Sequence, residues 1–171
     1  MATSLQTHLV EYLQTTYSPD REYVDGEVLE RHVGKFEHAR IQALLAIWFG
    51  SRERLWNLMV VTEQRIQVAP TRVRIPDVAL VAIGSHPEIL LDPPILAIEI
   101  LSPDDTYSDT QRRAEDYKRM GISNLWIIDP ETRTGRMCSG DSWTESTRLE
   151  VQGTAIYIDL PALFESIEHA F

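Results

Sequence analysis

Apolar positions along this chain fall into short segments whose spacing switches between helical and strand periods. His8 to Tyr17 reads as a short first helix that ends before Ser18-Pro19-Asp20. Glu22 to Glu30 alternates around the Asp25-Gly26 step, which predicts two short strands joined by a tight turn. Phe36 to Arg52 carries Ile41, Leu44, Leu45, Ile47 and Trp48 at helical spacing, with Gly50 near its end. Strand-like segments follow. Leu58 to Thr62 and Gln64 to Val68 read as one hairpin, and Val73 to Val81 as a strand interrupted by Pro76, a residue confined to edges, bulges and bends. Pro87 to Pro94 reads as a loop.

Ile95 to Leu101 is almost wholly apolar, as in a strand covered on both faces. Ser108 to Met120 predicts a second long helix stopped by Gly121. Leu125 to Ile128 predicts another buried strand, closed by Asp129-Pro130. Arg136 to Cys138 and Ser142 to Glu145 suggest a further hairpin, and Tyr157 to Phe164 a short strand running into a terminal helix turn. No repeat or linker divides the chain, so residues 1–171 are expected to form one α/β domain, a mixed sheet with helices packed on it.

Two acids break this apolar pattern. Asp77 lies in Arg74-Ile75-Pro76-Asp77-Val78-Ala79-Leu80-Val81, and Glu99 in Ile95-Leu96-Ala97-Ile98-Glu99-Ile100-Leu101. Buried strands rarely carry carboxylates without a partner or a metal. Singly, Asp77 could cap a strand end and Glu99 could pair with a buried arginine. Together, on neighbouring strands, they could hold a hard divalent cation.

Composition narrows the setting. Hydrophobic residues make up 43% and charged residues 25%, the balance of an ordinary globular protein. No apolar run is long enough to span a membrane, and Met1 to Gln6 lacks the basic start of a signal peptide, so a cytoplasmic location is expected. Cys138 is the single cysteine, which excludes an intrachain disulfide framework and a cysteine zinc cluster. The net charge of -10 argues against a broad basic surface for nucleic acid, leaving Arg112, Arg113, Lys118 and Arg119 as a local basic cluster. No histidine pair at metal spacing, Gly-x-Ser-x-Gly setting for Ser102 or Gly-rich phosphate loop is present. The four tryptophans, Trp48, Trp56, Trp126 and Trp143, are core candidates.

Taken in order, Glu22-Tyr23-Val24-Asp25-Gly26-Glu27, His38, Pro76-Asp77, Glu99-Ile100-Leu101-Ser102-Pro103, Asp109, Arg113, Tyr117, Gly121 and Trp126-Ile127-Ile128-Asp129-Pro130 resemble the Uma-two family of restriction-endonuclease-like proteins, within the PD-(D/E)XK nuclease superfamily. The resemblance runs from about Glu22 to Pro130. It implies a restriction-endonuclease-like core and phosphodiester hydrolysis in DNA. It also implies Mg²⁺, with Mn²⁺ as a substitute, held by Asp77, Glu99 and the Ile100 carbonyl, and a homodimer that presents two sites to a duplex. The superfamily's lysine two residues after the acid is Leu101 here. Family members place the basic residue on the following helix, four residues after the aspartate, and that position holds Arg113. Arginine is a poor base but can stabilise phosphoryl charge. Lys118, five residues on, is turned about 500° around the helix and points elsewhere.

Asp109, Arg113 and Tyr117 share one helix face, either aimed at the metal site or forming an ordinary Asp–Arg surface pair. Glu22 is a candidate accessory acid or a solvated strand residue. His38 is a candidate phosphate or water contact, or a local hydrogen-bonding group. Three readings follow: a Mg²⁺-dependent DNA endonuclease using Asp77, Glu99 and Arg113; a fold relative without catalysis that binds nucleic acid or protein; and a nuclease acting on RNA or a nucleotide, which would call for a small closed pocket.

Overall fold

A computed structural model describes residues 7–32 and 34–169. In chain order the elements are α1 (Leu9–Gln14), β1 (Glu22–Val24), β2 (Glu27–Leu29), α2 (Phe36–Gly50), α3 (Glu53–Trp56), β3 (Leu58–Thr62), β4 (Ile66–Ala69), β5 (Arg72–Arg74), β6 (Val78–Ala82) and β7 (Leu96–Ile100). After these come α4 (Tyr107–Met120), β8 (Asn124–Asp129), β9 (Thr134–Ser139), β10 (Ser142–Ser146), β11 (Arg148–Glu150), β12 (Tyr157–Asp159) and α5 (Leu160–Glu168). The expected mixed sheet with flanking helices is present. The inference drawn from Met1 to Gln6 lies outside the described residues.

Six strands form the main sheet in the order β10-β9-β8-β7-β6-β3. Every pairing is antiparallel except β7 with β8. A parallel pair needs a long crossover, and α4 supplies it. All five residues of β7 are buried, because helices or strands cover it on both faces. Leu96, Ile98 and Ile100 join the core under α2 and α5, which also takes Leu44, Leu45, Phe49, Leu163 and Phe164. Ala97 faces the other way, into a second core with Ala114 and Tyr117 of α4.

A smaller antiparallel sheet, β2-β1-β5-β4, packs beside the first. Its β1–β2 turn has positive φ at both Asp25 (50°) and Gly26 (98°), the conformation that tight hairpins require. Tyr12 of α1 packs there against Tyr23 and Val73.

The expected hairpin of Leu58–Thr62 with Gln64–Val68 does not form. β3 pairs with β6 in the large sheet, while β4 pairs with β5 in the small one. Glu63, at φ 49°, turns the chain from one sheet to the other, and its amide donates to the Asp77 carbonyl at 3.2 Å. The stretch Val73 to Val81 is likewise divided. It ends as β5, crosses Ile75-Pro76-Asp77, and resumes as β6 in the other sheet. Proline has no amide to give to either ladder, which is why the break falls there. Of the tryptophans only Trp126 is fully buried; Trp48, Trp56 and Trp143 are partly buried at the margins of the cores. Ile47 is half exposed, so α2 buries Ile41, Leu44, Leu45 and Phe49 instead.

One amide on the free edge of β3 is taken by a side chain: Glu53 Oε1 accepts the Val60 amide at 2.8 Å. Among the described residues no helix is long and apolar enough to cross a membrane.

Candidate functional site

The register of β6 on β7 builds the site. Val78 pairs with Ile98, so the next residue out on each strand sets Asp77 against Glu99 at the carboxyl end of β7. Both are buried, at 4% and 5% exposure. The two acids singled out in the sequence are therefore brought together by a strand pairing.

Each carboxylate has one oxygen fixed by a short hydrogen bond and one with longer contacts. Asp77 Oδ2 accepts the Ile100 amide at 2.7 Å, while Oδ1 lies 3.2 Å from Arg31 and 3.4 Å from His38 Nε2. Glu99 Oε1 accepts the Tyr117 hydroxyl at 2.5 Å, while Oε2 lies 3.5 Å from Arg113. The Gln42 side chain holds the Asp77 carbonyl at 3.1 Å. Ile100 thus orients Asp77 through its amide, whereas its carbonyl is the group expected to meet a metal.

Burial pushes the Glu99 pKa up to about 7; Asp77 and Glu22 add to the rise, while Arg113 and the Tyr117 hydroxyl oppose it. Burial likewise drives Tyr117 well above its ordinary value, with Glu99 adding to the effect. For Arg113, burial disfavours the charge but Glu99, Glu22 and Asp105 outweigh it, so the guanidinium stays protonated. Burial also works against an imidazolium at His38, yet the neighbouring Asp77 raises its pKa overall.

Other sequence candidates take different places. Glu22 is buried but already paired: Oε2 accepts from Arg74 at 2.8 Å and Oε1 from the Ile75 amide at 3.1 Å. Arg74 also donates to Asp116 of α4 at 2.8 Å, so one guanidinium joins β1, β5 and α4. Asp109 does not join Arg113 and Tyr117 over Glu99. It closes the start of α4 with Thr106, whose hydroxyl donates to Asp109 Oδ2 at 2.6 Å. Lys118 lies over the Trp143 ring, 5.5 Å from its centroid, turned away from the acids as its helical phase requires.

Besides Gln42, two participants escaped the sequence reading. Asp105 accepts from Arg113 at 2.8 Å and from the Ser102 amide at 2.8 Å, and so positions the arginine. Burial disfavours the Asp105 charge, but those two donors outweigh it and hold its pKa below the ordinary value. Arg31, just ahead of α2, contacts Asp77. The only local sign of Asp105 was an acid three residues after Ser102 in a loop, the spacing of a side chain that takes a backbone amide.

The donor set fits a hard divalent ion. Both candidate ligands are carboxylates, the hard oxygen donors such an ion takes; a bound ion would share Asp77 Oδ1 with Arg31 and Glu99 Oε2 with Arg113. Among the described residues no group of three or more His, Cys, Asp or Glu side chains forms a complete metal cage. Mg²⁺ is commonly held by one or two carboxylates, with water and phosphate completing its shell.

The family model described as "Uma2: Putative restriction endonuclease" matches residues 9–168. Among solved structures the chain is similar to the "crystal structure of a putative nuclease belonging to DUF820" from Anabaena variabilis ATCC 29413. The identity is 20% and the TM-score 0.82, over 94% of this chain and 99% of that one. At that identity the likeness is one of fold. The DrdV-DNA complex gives a TM-score of 0.42 at 18% identity, over 78% of this chain and 11% of that one, too low to support an argument. No curated protein matches the chain.

Proposed function

This chain belongs to the Uma2 family, and from that premise and its opposed acids we propose that it is a Mg²⁺-dependent endonuclease hydrolysing phosphodiester bonds in DNA. The observation that carries the reading is the burial of Asp77 and Glu99 opposite each other at a strand end, each turning one oxygen toward an arginine, Arg31 and Arg113 respectively. Asp77, Glu99 and the Ile100 carbonyl would hold Mg²⁺, or Mn²⁺ in its place. When bound, the ion supplies polarisation of a phosphoryl oxygen and a bound water of lowered pKa.

The chain's own residues do the rest. Tyr117 and the Ile100 amide fix the two carboxylates. Arg113, held by Asp105, keeps a permanent positive charge beside Glu99, where it can stabilise charge developing on a phosphate. Arginine cannot serve as a base at neutral pH, so the role left to Arg113 is stabilisation of charge on the phosphate.

A second reading has its own support: Arg113 is already shared between Glu99 and Asp105, and Leu101 replaces the superfamily's lysine. Both facts favour a relative that binds nucleic acid or protein without cutting. Calorimetric titration of Mg²⁺ and Mn²⁺ into the parent, Asp77→Ala and Glu99→Ala, followed by plasmid nicking, separates the two. Binding and nicking that both vanish in the variants support the endonuclease. Metal binding without nicking in the parent favours the non-catalytic relative, and no binding in the parent refutes the metal site. Two-strand cleavage would require two sites, so we also propose a homodimer. Sedimentation equilibrium should show a concentration-dependent dimer, and a monomer at every concentration would refute it.

A further inference from the structure

A trough of about 580 Å³ lies on the α4 side of the large sheet, between α4 and the β9–β10 hairpin. Leu101 and Asp105 line one part of it, and it is bounded by Tyr107 and Gln111 of α4 and by Trp143 of β10. Asp105 binds Arg113, whose other terminal nitrogen lies 3.5 Å from Glu99, so the trough adjoins the acid pair through one side chain. Tyr107, the first residue of α4, is 75% exposed, a large ring with almost no packing of its own.

Three of the four charged groups lining the trough have a charge partner, and the fourth, Asp129, is met by backbone amides alone. Asp105 has Arg113 and the Ser102 amide, Asp129 accepts the Glu131 amide at 2.9 Å, and Arg136 lies 3.7 Å from Glu145. Beyond that one negative charge, what remains is neutral and polar. The Thr132 and Thr134 hydroxyls are 2.8 Å apart and either can donate, while the Gln111 amide offers a donor and an acceptor. A flat exposed ring, reorientable hydroxyls and an amide, beside a carboxylate that would repel an anion, suit an uncharged heteroaromatic ring better than a phosphate.

We propose that this trough takes the nucleobase next to the scissile phosphate, unstacked from its neighbours, with Tyr107 as the stacking platform and Gln111 reading the base edge. The inference rests on the endonuclease reading above and narrows its substrate. A base stacked in a duplex shows only its edge, so it can enter a walled trough only when out of the stack. The preferred substrate is then DNA with an unpaired nucleotide at the cut: a single strand, a flap or a mismatch bubble.

The test uses the full chain with one fluorescently labelled sequence in three forms: single strand, matched duplex, and duplex with a two-nucleotide central bubble. Binding anisotropy and cleavage in Mg²⁺ are read for each. The parent should bind and cut the single strand and the bubble more strongly than the matched duplex, by on the order of tenfold for one stacked base. Tyr107→Ala should bring that ratio to about one, and Tyr107→Phe should restore it. Equal handling of bubble and duplex by the parent, or an unchanged ratio in Tyr107→Ala, overturns the inference. If cutting in those cases still depends on Asp77 and Glu99, the endonuclease reading stands. If no form is bound or cut, both fall.

Discussion

Glu99→Gln is expected to abolish Mg²⁺-dependent plasmid nicking and, in the same chain, to raise the midpoint of thermal unfolding at pH 8 without metal. Glutamine keeps the shape of Glu99 and an oxygen for the Tyr117 hydroxyl, but it carries no charge for a cation. Burial sets the sign of the stability effect. The Glu99 pKa moves from its ordinary 4.5 up to about 7 in the fold. Its contribution is therefore fully present below about 4.5 and is lost as pH rises through about 7. Above that range the folded chain carries an ionised carboxylate it would rather keep neutral. The glutamine variant has no such loss, so its unfolding midpoint should vary less between pH 5 and 8. The gap at pH 8 should amount to several degrees, at roughly 2–4 °C per kcal/mol for a chain of this size. His38, whose pKa is also raised, chiefly by Asp77, gives the same sign of pH dependence in both proteins; Glu99 adds to that rise, so the variant loses a further part of the dependence in the same direction. Saturating Mg²⁺ should reverse the order, since only the parent gains from binding. Equal midpoints at pH 8, or equal stabilisation of both proteins by Mg²⁺, would contradict the argument.

Arg74→Met should cost about 3–5 kcal/mol of stability, because it leaves Glu22 and Asp116 as buried charges that lose a partner. Glu22 depends on Arg74 for its side-chain charge partner, whereas Asp116 retains Arg72 at 2.7 Å. The double variant with Glu22→Gln should therefore recover much of the loss, a coupling that urea unfolding of the four-protein cycle measures directly. A cost under about 1 kcal/mol would mean that the two acids find water when the arginine is gone. The exposed Arg119–Glu115 pair, at 3.9 Å, is the natural control and should contribute little.

The parts of the site that were legible in the sequence are those fixed by local chemistry. An acid inside an apolar strand identified Glu99, and Pro76 located a break beside Asp77. Helical spacing put Arg113 and Tyr117 on one face and turned Lys118 away, as the structure has it. What local chemistry cannot carry is the identity of a distant partner. Thr62 to Gln64 looked like a hairpin turn because two strand-like segments flank it closely. Their true partners, β6 and β5, lie further along the chain in different sheets. The ion pair of Glu22 was hidden for the same reason, since its partner Arg74 is 52 residues away. Asp105 and Arg31 lie in loops, where no periodicity points a side chain anywhere.

The Glu53 carboxylate on the Val60 amide also bears on assembly. β3 is an outer strand of the large sheet, and an open strand edge is a template for another chain to extend. Here the template has an occupied rung. A second copy adding a strand along β3 would have to evict a carboxylate from its amide and leave that carboxylate to water. Strand addition along β3 is therefore opposed at this rung, and Glu53→Ala is the change that would free the Val60 amide to donate to a neighbour.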